Sequence, residues 1–293
     1  MRDTVNTHEI MDRHQLRATK SLGQNFLTDP HIIDKIVEAG DIGPNDLVLE
    51  VGPGLGAMTV RLARVAGRVV AVEIDKHLLP ALEEVLAGYR NTEVVHADIL
   101  KTDLRALVAG WDGPLKVVSN LPYYITTPVI MRLLESDIPW TSLVFMVQKE
   151  VAQRLAAPPG GKDYSALSVA VRCLSEPKMC FTVSRNCFHP RPDVDSAVVR
   201  LAKAFIPEME GVNRQLLRQV TRAAFSQRRK TIVNSLGSAP WIPGGKQGLR
   251  AVLAQLDIAE NERAERLSLF QYAGLTTALE AAGAKETAQP EEA

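Results

Sequence analysis

The sequence predicts an α/β protein in which a largely parallel sheet, covered by helices on both faces, precedes a smaller all-α domain. Between residues 30 and 148, strand-like apolar runs alternate with segments of helical periodicity, and this alternation is typical of parallel sheets. Beyond Pro207 the strand-like runs cease, and the periodicity is helical as far as residue 281. A chain of 293 residues has room for one large domain and one smaller one.

The elements of the larger domain follow in order along the chain. Asp29 and Pro30 supply an N-cap and a first helical residue for a helix that contains Ile32, Ile33 and Ile36. Strands are then predicted at 47–51, 68–73, 93–97, 115–119 and 142–147, with helices at 58–64, 78–86 and 128–134. Three further strands are expected to close the sheet, at 169–173, 179–183 and 197–201.

Four segments are predicted from these patterns. Residues 1–19 are polar and are expected to form an ill-ordered arm, 20–206 the α/β domain, 207–282 the helical domain and 283–293 a disordered tail. The tail contains several Glu and a Pro, a composition typical of disorder. Within the helical domain, helices are expected at 213–225, 227–236, 247–254, 260–266 and 268–281.

Composition restricts the possible partners and cofactors. Lys and Arg together number 34, as do Asp and Glu, so any basic surface must come from local clustering. Cys173, Cys180 and Cys187 form neither a paired framework nor a zinc motif, and we expect reduced thiols and no metal. No apolar run reaches the roughly eighteen residues of a membrane span. These features, with no secretion signal, predict a cytoplasmic protein that has no membrane partner. Nothing in the sequence suggests more than a monomer.

A glycine-rich loop lies between the first strand of the alternating region and the helix after it. Gly52, Gly54 and Gly56 permit a tight turn and close approach of a ligand to the backbone. Glu73 ends the next strand, about twenty residues on, where an acid can bind ribose hydroxyls. With Ala57, the loop also satisfies the dinucleotide fingerprint. The loop therefore leaves three alternatives open: an NAD-dependent oxidoreductase, an S-adenosylmethionine enzyme or a purely structural turn.

Two features favour S-adenosylmethionine. Asp98 follows the third strand, where its carboxylate can accept a hydrogen bond from an adenine amine. Asn120-Leu121-Pro122-Tyr123 ends the fourth strand. The Asn side-chain oxygen and the Leu carbonyl can accept both N–H bonds of an exocyclic amine, Pro fixes the backbone, and Tyr offers a face for base stacking. Although an ordinary turn is the alternative, a dehydrogenase needs no amine clamp, so the pattern favours methyl transfer to a nucleobase amine.

Together these motifs resemble the adenine-N6 dimethyltransferases of ribosomal RNA. Further similar segments are 20–27, 148–151, 188–192, 194–197 and 224–231, and the resemblance runs from about Lys20 to Leu279. It implies a Rossmann-like S-adenosylmethionine-dependent methyltransferase sheet, with S-adenosylhomocysteine as product. The segments at 148–151 and 228–230 favour the branch that dimethylates two adjacent adenines near the 3′ end of small-subunit (16S) rRNA in an assembling 30S particle. The alternative is the large-subunit, macrolide-resistance branch.

The resemblance also implies roles for individual residues. Those expected at the cofactor are Asn25 and Leu27 as a cover, Gly52 and Gly54 at the methionine part, Glu73 at the ribose, Asp98 at the adenine, and Asn120 between cofactor and target base. Catalysis is expected from Asn120, Leu121, Pro122 and Tyr123, with Phe188 flanking the target adenine opposite Tyr123. No general base is assigned. The chain departs from the family pattern at Tyr124, where Asn is expected, and at Val233, where a basic residue is common.

A basic segment of the helical domain is the candidate RNA-binding surface. Arg214, Arg218 and Arg222 recur every four residues and so share one helix face. Arg228, Arg229 and Lys230 follow, and no acidic residue interrupts 213–237. A solvated helix face is the alternative, but clustering in a neutral protein favours contact with phosphates. A non-catalytic assembly factor would also bind RNA, although the intact motif at 120–123 argues against lost chemistry.

Overall fold

The computed structural model describes residues 5–286. The strands are β1 (Phe26–Leu27), β2 (Leu47–Val51), β3 (Arg68–Glu73), β4 (Thr92–His96), β5 (Leu115–Asn120), β6 (Trp140–Gln148), β7 (Ser175–Val183), β8 (Phe188–His189) and β9 (Ser196–Lys203). The helices are α1 (Thr7–Arg13), α2 (Pro30–Gly40), α3 (Ala57–Val65), α4 (Leu79–Leu86), α5 (Leu104–Leu107), α6 (Thr126–Glu135), α7 (Lys149–Ala156), α8 (Ala166–Arg172), α9 (Arg214–Phe225), α10 (Ile232–Ser235), α11 (Gly245–Gln255) and α12 (Leu269–Ala281).

Within the described residues, the chain divides into two compact units. The first unit contains the chain up to Ala152 together with 177–203, and the second contains 153–176 together with the chain from Ala204 onward. The sequence-based division at 206 assigned 153–176 to the α/β domain, whereas contacts group this segment with the helical unit. No helix in the part of the chain that the structure describes is long and apolar enough to cross a membrane.

The first unit is built on a seven-stranded mixed sheet. Its strand order is β4-β3-β2-β5-β6-β9-β7. The pairs from β4 to β6 are parallel, and β9 runs antiparallel to β6. All five residues of β2 are buried, as expected for a central strand covered on both faces. The predicted α/β fold with a smaller helical part is thereby confirmed.

Local chemistry explains where the helices next to the central strands begin. The Asp29 carboxylate accepts hydrogen bonds from the backbone N–H groups of His31 and Ile32, at 2.9 and 3.4 Å, and so caps α2 as predicted. Helix α3 begins after Gly56, whose φ of 81° is left-handed. A Cβ there would lie 2.9 Å from the Leu82 side chain, so both conformation and space require glycine.

The prediction of a strand at 169–173 was wrong. This segment forms most of α8, which begins with a reciprocal capping box between Ser165 and Ser168. Val169 and Cys173, one turn apart, pack into the core of the second unit. The alternating apolar residues imitated a strand, but the cap and the packing of one helix face stabilise a helix.

Three further segments differ from the sequence-based expectation. The arm at 1–19 was expected to be ill-ordered, but it contains α1, capped by Asn6 and anchored by buried Ile10 and Met11. Within 227–236 the α-helix is confined to Ile232–Ser235, and within 260–266 only a 3₁₀ turn forms. The predicted tail lies outside the described residues from 287 onward.

Candidate active site

A cleft opens in the first unit at the carboxyl ends of β2, β3, β4 and β5. It encloses about 1110 Å³, including space open to solvent. Ligands of open parallel sheets bind at this edge. All the residues expected in catalysis and cofactor binding line this one cleft: Asn25, Leu27, Gly52, Gly54, Glu73, Asp98, Asn120, Leu121, Pro122, Tyr123 and Phe188.

The glycine loop forms one wall of the cleft. Gly52 and Gly54 have φ angles of 69° and 59°, in the left-handed region that favours glycine. A Cβ on Gly54 would lie 3.1 Å from the Phe26 ring. The loop therefore packs tightly against β1 and leaves room for a ligand to approach its backbone.

The Glu73 carboxylate connects this loop to the end of β3. One oxygen accepts a hydrogen bond from Gly54 N–H at 3.1 Å, and the other accepts one from Asp75 N–H at 2.8 Å. Burial raises the pKa of Glu73, and these N–H groups oppose the shift. Each oxygen keeps a second lone pair that can accept a hydroxyl donor, so the geometry suits a ribose.

One carboxylate oxygen of Asp98 stabilises a turn, and the other can accept a hydrogen bond from a ligand. Its Oδ1 accepts a hydrogen bond from the backbone N–H of Leu100 at 2.9 Å. Its Oδ2 lies 3.5 Å from the ammonium of Lys101, a largely exposed side chain. Asp98 can therefore stabilise the turn and accept a hydrogen bond from a ligand at the same time.

Asn120 and Leu121 leave two acceptors unused. Asn120 Nδ2 donates to the Asn25 carbonyl at 3.2 Å, and because a carbonyl can only accept, this contact fixes the amide orientation. Leu121 N–H donates to the Met146 carbonyl, while the Pro122 carbonyl accepts from Ile125 N–H and the Thr126 hydroxyl. Within residues 5–286, Asn120 Oδ1 and the Leu121 carbonyl have no hydrogen-bond donor.

Two aromatic side chains stand beside these acceptors. The Tyr123 hydroxyl forms a hydrogen bond of 2.8 Å with the Ser196 hydroxyl, and burial raises its pKa. Phe188 belongs to β8, where it pairs with Leu27 of β1. Phe188 is buried in the core and also lines the cleft. The Phe188 ring can therefore pack in the core and also contact a ligand in the cleft.

Sequence reasoning missed Glu50 as a residue of the cleft. It lies inside β2 and is 1% exposed, and neither carboxylate oxygen has a hydrogen-bond partner among the described residues. Burial raises the pKa of Glu50 to about 8, and the Glu73 charge adds to this. The nearby Thr59 hydroxyl lowers the pKa of Glu50 and so opposes this rise, although the hydroxyl forms no hydrogen bond with either carboxylate oxygen. One acid in an otherwise apolar strand was the available signal.

The departures from the family pattern have different surroundings. Tyr124 lines the cleft, and its ring packs against Gly23. Val233, where a basic residue is common, is buried in the core of the second unit. An apolar residue therefore suits that position. Thr7 of α1 also lines the cleft, a contact that the polar N-terminal sequence did not suggest.

Comparison with known proteins assigns the chain to a family. A family model described as ribosomal RNA adenine dimethylase matches residues 15–279. The chain belongs to this family. Ribosomal RNA small subunit methyltransferase A of Pelotomaculum thermopropionicum is 48% identical over 283 residues, 94% of this chain and 96% of that protein. Its counterpart from Lachnoclostridium phytofermentans is 45% identical over 276 residues, 93% of this chain and 95% of that protein.

Solved structures agree with the fold of this dimethylase. A dimethyladenosine transferase from Plasmodium falciparum has a TM-score of 0.75 and 28% identity, covering 89% of this chain and 100% of its own. The 23S rRNA methyltransferase ErmE has a TM-score of 0.64 and 27% identity, covering 87% and 99%. The predicted methyltransferase fold and enzyme class are confirmed, and the oxidoreductase alternative is excluded.

The predicted RNA-binding side chains of the dimethylase differ in their surroundings. Arg214 and Arg222 are exposed on α9, and Arg218 is half-buried. Arg228 donates to the carbonyls of Lys162 and Tyr164, so it holds a loop of its own unit. The remaining two, Arg229 and Lys230, are exposed, and their side chains have no partner among the described residues.

No cluster of three or more His, Cys, Asp or Glu in the described part of the chain could hold a metal.

Proposed function

We propose that this dimethylase transfers methyl groups from S-adenosylmethionine to the N6 amines of two adjacent adenines near the 3′ end of small-subunit rRNA, giving N6,N6-dimethyladenosines. The observation that carries the proposal is the pair of unused acceptors, Asn120 Oδ1 and the Leu121 carbonyl, in the cleft that also contains Glu73 and Asp98. The small-subunit methyltransferases at 45 and 48% identity favour this substrate over large-subunit rRNA.

The order of strands supports a place for each part of the cofactor. Adjacent strands β4, β3, β2 and β5 end in Asp98, Glu73, the glycine loop and Asn120. Asp98 would bind the adenine, Glu73 the ribose and the glycine loop the methionine part, with Asn25 and Leu27 as a cover. S-adenosylmethionine supplies an electrophilic sulfonium methyl group. Asn120 stands at the end of this row, where the target amine would meet that methyl group.

The two acceptors would activate the amine. An adenine amine is a poor nucleophile because its lone pair is delocalised into the ring. Hydrogen bonds from the amine to Asn120 Oδ1 and the Leu121 carbonyl would favour a tetrahedral nitrogen and stabilise the positive charge that develops on it. Alignment of the amine with the methyl group provides the remaining acceleration. The methylated nitrogen loses its proton to water, so no side chain serves as general base.

Two aromatic rings would hold the target base. An adenine must leave its stack to enter the cleft. Tyr123 would stack against it, since the hydrogen bond to Ser196 fixes the Tyr123 ring while Pro122 holds the backbone. Phe188 would flank the opposite face. The product of the first transfer still carries one N–H, which either acceptor can bind for the second transfer.

The second unit would bind the RNA. Arg214, Arg218 and Arg222 with Arg229 and Lys230 would contact phosphates, and Arg228 would support them by holding the loop at 162–164. Folded RNA is recognised largely by shape, which suits an rRNA substrate within an assembling 30S particle. We infer a monomeric enzyme whose α/β domain is catalytic and whose helical domain binds RNA.

The test offers labelled S-adenosylmethionine and the enzyme to undermethylated small subunits and, separately, to free large-subunit rRNA. Nucleosides are then identified by mass spectrometry. We expect N6,N6-dimethyladenosine in small-subunit rRNA alone. Label only in large-subunit RNA would favour the resistance-type activity, and label in neither would contradict the proposed cofactor.

The amine clamp has its own test. We expect Asn120→Ala to lower the rate constant of methyl transfer by about 100-fold or more, because one of the two acceptors is lost. Asn186→Ala is the matched control, since the exposed Asn186 side chain lies outside the cleft. Rates are measured on small subunits under single-turnover conditions. A near wild-type rate for Asn120→Ala would show that the clamp is not catalytic.

A further inference from the structure

We propose that the ring of Tyr124, packed against Gly23, closes the adenosine end of the cofactor site and thereby slows dissociation of the cofactor and of its product. This inference deepens the proposed function and rests on it, because it takes S-adenosylmethionine as the ligand. It assigns a role to a position at which the chain departs from the family pattern, with Tyr in place of the expected Asn. Neither the amine clamp nor the acceptors for ribose and adenine require this side chain.

The place of Tyr124 in the fold puts its ring at the edge of the cleft. It belongs to the 3₁₀ turn Tyr123–Ile125, between the carboxyl end of β5 and the start of α6. The residue lines the cleft, yet 53% of its surface is exposed. Apolar surface that is left in water becomes favourable to cover when a ligand binds beside it. The ring can therefore gain contact area from a bound ligand.

The contact between Tyr124 and Gly23 depends on the absence of a side chain at position 23. Gly23 has a left-handed φ of 58°, and a Cβ there would lie 3.2 and 3.6 Å from two carbons of the Tyr124 ring. An alanine at this position would therefore be strained and would also press on the ring. The glycine allows the ring to lie directly against the backbone that covers the cleft.

Hydrogen bonds on both sides of Gly23 hold this backbone in place. The Gln24 amide donates to an Asp75 carboxylate oxygen at 2.8 Å, and the Asn120 amide donates to the Asn25 carbonyl at 3.2 Å. The surface against which the ring packs is therefore fixed before a ligand binds. A closure that is already ordered costs little conformational entropy on binding.

The charges around the Tyr124 hydroxyl indicate which end of the cofactor the ring covers. Partial burial raises its pKa, and the carboxylates of Asp98 and Glu73 add to the rise, so both act on this hydroxyl. These two carboxylates are the proposed acceptors for the adenine and the ribose. The neighbouring Tyr123 instead bonds to the Ser196 hydroxyl, on the side proposed for the target base. Tyr124 is therefore assigned to the adenosine of the cofactor.

The experiment measures how fast S-adenosylhomocysteine leaves the full-length protein, by surface plasmon resonance. We expect dissociation from Tyr124→Asn to be about tenfold faster than from the wild type, because one aromatic contact with the ligand is lost. Tyr124→Phe keeps the ring and should retain slow dissociation. Phe205→Asn is the control, since it removes a ring that is 77% exposed and lies outside the cleft. Thermal melts establish that each variant is folded.

A double-mutant cycle tests whether Gly23 and Tyr124 act together. Gly23→Ala introduces backbone strain in either background, but it disturbs the ring only where the ring is present. We therefore expect Gly23→Ala to accelerate dissociation more in the wild type than in Tyr124→Asn. An equal effect in both backgrounds would mean that the two residues act independently and would contradict the proposed closure.

A fragment of the cofactor locates the contact. The ligand 5′-methylthioadenosine keeps the adenosine and the sulfur but lacks the amino-acid part. We expect Tyr124→Asn to weaken its binding by about the same factor as that of S-adenosylhomocysteine, measured by calorimetry. Weakened binding of S-adenosylhomocysteine alone would place the ring at the amino-acid end and overturn the assignment.

The outcomes separate this inference from the proposed function. Equal dissociation rates and affinities for the wild type and Tyr124→Asn, with methyl transfer by the wild type observed, would overturn the role of Tyr124 and leave the proposed function standing. If the wild type bound neither S-adenosylmethionine nor S-adenosylhomocysteine, both would be overturned. Unchanged cofactor binding together with weaker binding of small subunits by Tyr124→Asn would assign the ring to the RNA instead.

Discussion

At the residue scale, Glu50 sets a pH dependence of stability that can be measured without a cofactor. The pKa of a glutamate is 4.5 when unperturbed and about 8 for Glu50 in the folded protein. A raised pKa means that the folded state holds the proton more tightly, so this contribution to stability is complete below pH 4.5 and is lost as the pH rises to about 8. The slope is at most about 1.4 kcal/mol per pH unit.

Replacing Glu50 with Gln should abolish this contribution. We expect the free energy of unfolding of Glu50→Gln to exceed that of the wild type increasingly as the pH rises from 4.5 to about 8. Urea denaturation across this range measures the difference, in which other titrating groups cancel. Glu38→Gln, on the exposed side of α2, is the control. A constant difference between Glu50→Gln and wild type would contradict the buried neutral acid.

Single residues differ in how well the sequence reveals them. Asp98 and Asn120 could be predicted because polar residues that follow parallel strands gather at one edge of a sheet. The structure brings both to one cleft, although their functions remain predictions. Glu50 was missed because its isolation from donors depends on how α3 and β3 pack around it. Arg228 was predicted as an RNA contact, but its bonds to two carbonyls depend on a loop more than sixty residues away.

At the element scale, the sequence predicted the strands of the alternating region to within a few residues, and also the helices α2, α3, α4 and α6. The four-residue helix α5 was not predicted. Most have a clear apolar period, and some have a cap or a glycine at the boundary, as α2 has Asp29 and α3 has Gly56. Two of the failures have a clear physical cause, the strand predicted at 169–173 and the unpredicted helix α1. The first is a short helix that exposes little of its surface, so its pattern lacks a polar face. The second is stabilised by a tertiary cluster that includes Leu55 and Leu78, which local sequence does not reveal.

This cluster makes the attachment of α1 testable. Ile10 and Met11 pack with Leu55 and Leu78, and Arg13 pairs with Glu84 at 2.5 Å. We expect Ile10→Ala to cost about 2–5 kcal/mol of local stability, enough to detach a helix of 7 residues while the sheet stays folded. Amide hydrogen exchange followed by mass spectrometry should show faster exchange at 7–13 and unchanged exchange in β2 and β3.

A surface variant provides the comparison for this helix. Val65→Ala removes apolar atoms at a partly exposed position of α3 and should leave exchange in α1 unchanged. Because Thr7 lines the cleft, loosening of α1 should also weaken cofactor binding. Unchanged protection of α1 in Ile10→Ala would mean that the ion pairs and backbone, rather than Ile10, hold the helix.

At the scale of the whole molecule, neutral charge conceals an uneven distribution. Lys and Arg balance Asp and Glu overall, yet 213–237 contains no acidic residue. Composition alone therefore could not identify a nucleic-acid partner, whereas local clustering favoured one. The residues of the cluster differ in their surroundings: Arg228 is engaged within its unit, while Arg229 and Lys230 are exposed.

The exposed pair predicts a measurable salt dependence. We expect Arg229→Ala/Lys230→Ala to weaken binding to undermethylated small subunits and to reduce the slope of log K against log salt by about two, because each phosphate contact contributes about one. Arg263→Ala/Arg266→Ala removes the same charge outside 213–237 and is the control. Affinity is measured by filter binding over a range of salt concentrations. If both double variants change the slope equally, net charge rather than this surface governs binding, and the proposed RNA-binding surface should be abandoned.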